Sequence, residues 1–115
     1  YAPLALRGAD TAFCAQVIGD VLHELRGGIE YVLSLPHRAV GYRRASLLCL
    51  FPSYQTLQLA AQRRDVLFTA EHRVKISRPT MMRCMVDSFT HLTDDEGIRR
   101  YGRKVEQEIL RQLEA

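Results

Sequence analysis

Apolar side chains at Phe13, Val17, Ile18, Val21, Leu22, Leu25, Ile29, Val32 and Leu33 recur at spacings of three and four. That period lines one face of an α-helix and predicts an amphipathic helix over roughly 9–34. Gly27 and Gly28 are placed to bend it, and Pro36 closes it. The next stretch, about 38–62, starts basic with Arg38, Arg43 and Arg44 and then turns almost uniformly apolar from Ala45 to Tyr54. A helix apolar on all sides is expected to be buried on all sides. Pro52 lies within it, removes a backbone donor and is expected to kink it.

Helical periodicity lapses over 63–78, where RRDVLFTAEHRVKISR alternates around Val74 and Ile76 and predicts a loop or a short extended flap. Ser77 followed by Pro79 is a helix-start signal, since serine caps free amides and proline suits the first turn. The third helix is expected over about 79–92, with Met82, Met85, Val86 and Phe89 as its apolar stripe, the face a helix ordinarily turns to the core. Thr93 with Glu96 fits a capping box for a last helix over about 94–114, which buries Ile98, Tyr101, Val105, Ile109 and Leu113. The pattern predicts an all-α chain, 1–115 forming one helical region.

Composition sharpens this picture in two ways. With 47% apolar and 25% charged residues in 115, the chain has globular proportions and enough length for a core. No apolar run approaches the roughly 20 residues of a membrane span, and the first ten residues lack the basic start and apolar stretch of a signal peptide. The net charge of +3 is concentrated. Arg63, Arg64, Arg73, Lys75, Arg78 and Arg83 face only Asp65 and Glu71 within 63–83, while the rest of the chain carries ten basic against eleven acidic residues.

Candidate chemistry is sparse. Asp94, Asp95 and Glu96 are the one acidic cluster, and helix capping accounts for them. No pair of carboxylates sits at the spacing of a helical magnesium clamp, and His23, His37, His72 and His91 have no partner at zinc-ligand spacing, so no catalytic or metal residue is expected. Cys14, Cys49 and Cys84 are widely spaced and read as reduced, mostly buried thiols of a cytoplasmic protein. A basic segment without interleaved aromatics argues against nucleic acid. It is either a solvated loop or an anion site in which guanidinium and ammonium groups meet phosphate oxygens. Cys49 and Pro52 read as core residues, or as the wall of an apolar cavity that a kink would open. A second helix so apolar is expected to need more neighbours than three short helices. Together with a start at Tyr1, this reads as part of a longer bundle.

The succession of LLCLFPSYQTLQLA, a basic segment ending in VKISR and the Met-rich MMRCMVDSF, preceded by LHELRGGIEYVLSLP, resembles the C-terminal part of the squalene and phytoene synthase family, squalene synthases in particular. The resemblance spans essentially the whole chain and is strongest from about Arg44 to Val86. It implies the C-terminal helices of an isoprenoid-synthase-type bundle around an apolar cavity. It further implies condensation of two farnesyl diphosphates to presqualene diphosphate, followed by NADPH-dependent reduction to squalene with magnesium.

Carried over by position, Cys49 and Pro52 match a Cys-x-x-Pro that lines the cavity, with Leu48 where the family often has an aromatic. Together these three form the expected substrate wall. Lys75, Ser77 and Arg78 match the basic flap associated with NADPH, Ser77 standing where the animal enzymes carry a basic residue. The Asp-rich motifs of the family lie upstream of the region this chain resembles, so the 115 residues alone are expected to be inactive and to need the missing N-terminal helices as partners. Cytoplasmic placement with peripheral membrane association follows from the same resemblance. Two alternatives remain open: a phytoene or hopanoid-pathway relative that needs no NADPH, and a non-catalytic helical module that binds an anion or a partner.

Overall fold

The computed structural model describes residues 7–63 and 75–114, with side chains from Ala12 onward in the first helix. Four α-helices and no strand are present among these residues: α1 (Arg7–Ser34), α2 (Val40–Gln62), α3 (Arg78–Thr90) and α4 (Asp95–Glu114). The all-α class expected from the periodicity is therefore the observed one. Residues 64–74, which carry most of the expected flap with Arg64 and Arg73, lie outside the described residues.

α2 is the central element. It packs against α1, α3 and α4, while α1 and α4 also touch each other. Its buried residues Arg43, Leu47, Leu50, Phe51, Tyr54, Leu57, Ala60 and Ala61 repeat at three and four and form one continuous stripe. α1 answers with Cys14, Ile18, Leu22, Leu25, Ile29 and Val32, and α4 with Ile98, Val105 and Ile109, with Tyr101 and Leu113 partly buried against the same core. Aromatic stacking tightens the α2–α4 contact, the Phe51 and Tyr101 rings lying 3.9 Å apart at 26°.

α1 runs unbroken through Gly27 and Gly28. Gly28 allows a close approach of α1 to α2. A Cβ on Gly28 would come within 2.5 Å of Leu50 Cδ2, whereas one on Gly27 would meet nothing. α2 likewise continues as helix through Pro52, and Ser53 Oγ donates to the Cys49 carbonyl at 2.6 Å. Nor is α2 covered on every side, since Gly41, Tyr42, Arg44, Ala45, Cys49 and Ser53 are exposed. Cys49 thus departs from the expectation of buried thiols, which Cys14 and Cys84 meet.

Ser77 caps α3 as anticipated, accepting from the Thr80 amide at 3.3 Å. The burial of α3 is the reverse of the expectation. Cys84 and Ser88 face inward, while Met82, Met85, Val86 and Phe89 are 59%, 48%, 60% and 67% exposed. Small side chains let α3 sit close to α2, and the large apolar ones are left on its outer flank.

At the start of α4 the cap is Asp94, not Thr93. Its carboxylate accepts from the Gly97 amide at 3.0 Å, and glycine leaves the room this requires, because a Cβ there would lie 2.2 Å from Asp94 Oδ2. Asp95 does something other than capping. It accepts from His37 Nε2 at 3.1 Å and from the buried guanidinium of Arg43. Arg43 also donates to the carbonyls of Leu92 at 2.8 Å, Leu35 at 2.7 Å and Val32 at 3.2 Å. The last carbonyls of a helix lack intrahelical donors, and α1 has no basic residue in its last turn. A side chain from α2 supplies those donors instead.

Candidate functional site

α2 ends at Gln62, where the backbone amide of Arg63 turns back to the carbonyls of Leu59 and Ala60. The chain returns at Lys75 and enters α3 two residues after Ile76. These two helix ends face a cleft of about 270 Å³, lined by Gln55, Gln58, Leu59, Gln62 and Arg63 from the α2 side and by Lys75, Ile76, Ser77 and Thr80 from the α3 side. Gln55, Gln58 and Gln62 reach it together because spacings of three and four put them on one face of α2.

Among the described residues, the lining is rich in donors and holds no carboxylate. Arg63 and Lys75 bring positive charge, three side-chain amides and two hydroxyls add neutral donors, and the amino end of α3 contributes its partial positive charge. One wall is fixed from behind, since Gln55 Nε2 donates to the Tyr101 hydroxyl at 2.9 Å. Burial in turn pushes the Tyr101 hydroxyl well above the ordinary tyrosine range, partly countered by the bond from Gln55. Tyr101 therefore stays a neutral partner for that amide. Ser77 is committed in part to Thr80, with 2.9 Å between the two hydroxyl oxygens. Gln55 and Gln58 also border a second cleft of about 550 Å³ whose charges balance, Arg83 and Lys104 against Asp87 and Glu108.

This arrangement is suited to holding an anion. Cationic and amide donors converge on one opening, and none of its described lining residues is an Asp, Glu, His or Cys that could exchange a proton near neutral pH. No group of three or more His, Cys, Asp or Glu among the described residues could hold a metal ion. No described helix is long and apolar enough to cross a membrane.

The residues singled out from the sequence divide between two places. Lys75 and Ser77 share the cleft, and Arg78, exposed on the first turn of α3, lies outside its lining. Leu48, Cys49 and Pro52 sit on the outward side of α2, Cys49 exposed and the other two half-buried, and line neither this cleft nor its neighbour. The sequence reading missed the three glutamines. Their spacing on the last two turns of an otherwise apolar helix was the available signal. Compared with known protein families, with curated proteins and with solved structures, the chain matches none of them.

Proposed function

We propose that this chain is the anion-holding and apolar-wall portion of a protein like the squalene and phytoene synthases, which acts on farnesyl diphosphate or its presqualene product. The observation that carries the reading is the cleft between the ends of α2 and α3 that Arg63, Lys75 and Ser77 line together, with no carboxylate among its described lining residues. Charge-assisted donors of this kind match the oxygens of a diphosphate, or of the phosphates of NADPH. Arg63 and Lys75 would neutralise the anion, and the glutamine amides with Ser77 would orient it. NADPH, when bound, supplies the hydride of the reductive step. Leu48, Cys49 and Pro52, on the outward side of α2, are the apolar surface available to a prenyl chain. These residues bind and orient the anion and leave the diphosphate bond intact.

Titration calorimetry of the chain with inorganic diphosphate, farnesyl diphosphate and NADPH tests it. Binding of at least one of these should weaken by about tenfold or more in Lys75→Ala and Arg63→Ala. Farnesyl diphosphate should bind more tightly than inorganic diphosphate, and Leu48→Ser should narrow that difference. Equal affinity of wild type and both cation variants for all three compounds overturns the assignment. A second reading, a non-catalytic module that binds an anionic partner, draws on the same cleft. It is favoured if diphosphate binds but the prenyl chain adds nothing.

A further inference from the structure

The outer flank of α3 is apolar and open to solvent. Met81, Met82, Met85, Val86 and Phe89 are between 42% and 67% exposed, five large apolar side chains within one 13-residue helix. Arg78, Met82, Met85 and Phe89 stand at successive spacings of four, three and four, which draws a straight ridge about 16 Å long at 1.5 Å per residue. Guanidinium groups sit at both ends of this ridge. Arg78 begins it, and Arg44 of α2 lies over the Phe89 ring at 5.6 Å. The acidic residue of α3, Asp87, lines the cleft against α4 instead.

We propose that this ridge docks an amphipathic helix whose apolar seam is flanked by acidic side chains. A seam at spacings of three and four complements another helix of the same period, and thioethers adapt to whatever packs on them. The cationic ends select the partner's charge. A second copy of the chain is disfavoured by the same feature. In a parallel pair like ends meet, and in an antiparallel pair Arg78 of one copy faces Arg44 of the other, so guanidinium opposes guanidinium either way. A bilayer would gain nothing from the regular spacing of the ridge and favours Trp, Phe and Leu on the inserting face, where this one carries mostly Met. The proposal is independent of the anion cleft, whose lining contains neither Arg78 nor any residue of the ridge.

Two labelled helical peptides of about 18 residues, identical in a Leu seam and differing only in Glu or Lys flanks, provide the probe for fluorescence anisotropy with the intact chain. The Glu-flanked peptide should bind at least about tenfold more tightly than the Lys-flanked one. Met82→Glu and Phe89→Glu should each abolish binding while leaving the circular dichroism spectrum and diphosphate binding unchanged, and the milder Met85→Ser should weaken it. Arg44→Glu combined with Arg78→Glu should reverse the preference between the peptides. Indifference to peptide charge, or binding that survives Phe89→Glu, overturns the proposal. So does a chain that sediments as a dimer dissolved by Met82→Glu, or one that ignores both peptides and binds vesicles of phosphatidylserine and phosphatidylcholine.

Discussion

Arg43 is the single side chain on which the junction of three helices depends, and replacing it should be the most damaging substitution in the chain. Its side chain is fully buried, and its donors are divided among Val32 at the end of α1, Leu35 in the following turn, Leu92 between α3 and α4, and Asp95 at the head of α4. Arg43→Ala leaves three backbone carbonyls without this donor and removes the guanidinium from Asp95. Leaving a buried acceptor without its donor costs about 1–3 kcal/mol, so loss of this network should cost about 3–5 kcal/mol, a large share of the roughly 5–15 kcal/mol by which domains are stable. At the entropy of unfolding expected for this length, the melting temperature should fall by on the order of 10–25 °C. Arg43→Lys keeps the charge but concentrates its donors at one point. It should recover about half of the loss, because one ammonium cannot reach acceptors in all of these segments. Arg43→Met separates volume from hydrogen bonding and should do no better than Lys, since the carbonyls of Leu35 and Leu92 lose the guanidinium donor. Asp95→Asn should cost only about 1 kcal/mol, because water reaches a carboxylate that is 37% exposed. Urea unfolding followed by circular dichroism, with unchanged denaturant dependence across the series, gives the differences directly. If Arg43→Met lies within about 1 kcal/mol of wild type, packing rather than the hydrogen-bond network holds the junction and the reasoning fails.

Three further expectations follow from particular contacts. A membrane-impermeant thiol reagent should label one cysteine per native chain, Cys49, and three after denaturation. Cys14 and Cys84 are buried, and burial, the largest influence on the Cys84 thiol, raises its pKa and so disfavours the reactive thiolate; rapid labelling of Cys84 would contradict the packing of α3 on α2. Gly27→Ala should stabilise by about 0.5–1 kcal/mol, as an exposed helix-interior glycine meeting nothing, while Gly28→Ala, pressed against Leu50, should destabilise by about 1 kcal/mol; equal effects in thermal melts would refute the close approach of α1 to α2. Stability should decline at both pH extremes. At Asp95 burial pushes the carboxyl upward, but bonds from His37 and Arg43 and the charge of Arg43 outweigh it and hold the group below its usual 3.8, so its contribution is present above that value and lost as pH falls below it. Burial pushes Tyr54 up to about 12 from 10.0 and raises Tyr101 as well, so the unfolded chain ionises first and stability drains away as pH rises through that interval. Tyrosinate absorbance at those two positions should appear only together with unfolding.

The helices were legible because burial on α1, α2 and α4 follows the apolar period that the sequence displays. The Ser77 cap was legible because serine two residues before a proline has few other uses. Arg43 was not, since a basic residue at the head of an apolar stretch reads as the solvated start of a helix. Yet the stripe Leu47, Leu50, Phe51 and Tyr54, extended one turn upstream by a spacing of four, lands on position 43 and places it inside. Of the candidate site, Lys75 was legible through the local excess of charge and Ser77 through the helix-start signal it shares with Pro79. The glutamines that complete the cleft were hidden because neutral amides on a long apolar helix carry no charge signal.

α3 shows why periodicity by itself can invert a prediction. Its large apolar residues do share a face, as the spacing requires, but spacing describes which residues lie together and not which of them meets a neighbour. Contact with α2 is decided by fit. α3 packs on α2 with Cys84 and Ser88 as its buried residues, and side chains this small let the two backbones come close, whereas a ridge of methionines would hold them apart. The price is an open apolar flank, and from this follows a discriminating expectation. Met82→Gln should leave the stability of the chain within about 0.5 kcal/mol of wild type, as an exposed substitution does, whereas Cys84→Leu should destabilise it by about 1–3 kcal/mol through overpacking against α2. The opposite ranking in urea unfolding would restore the buried stripe that the sequence suggests, and with it close the surface on which the docking proposal rests.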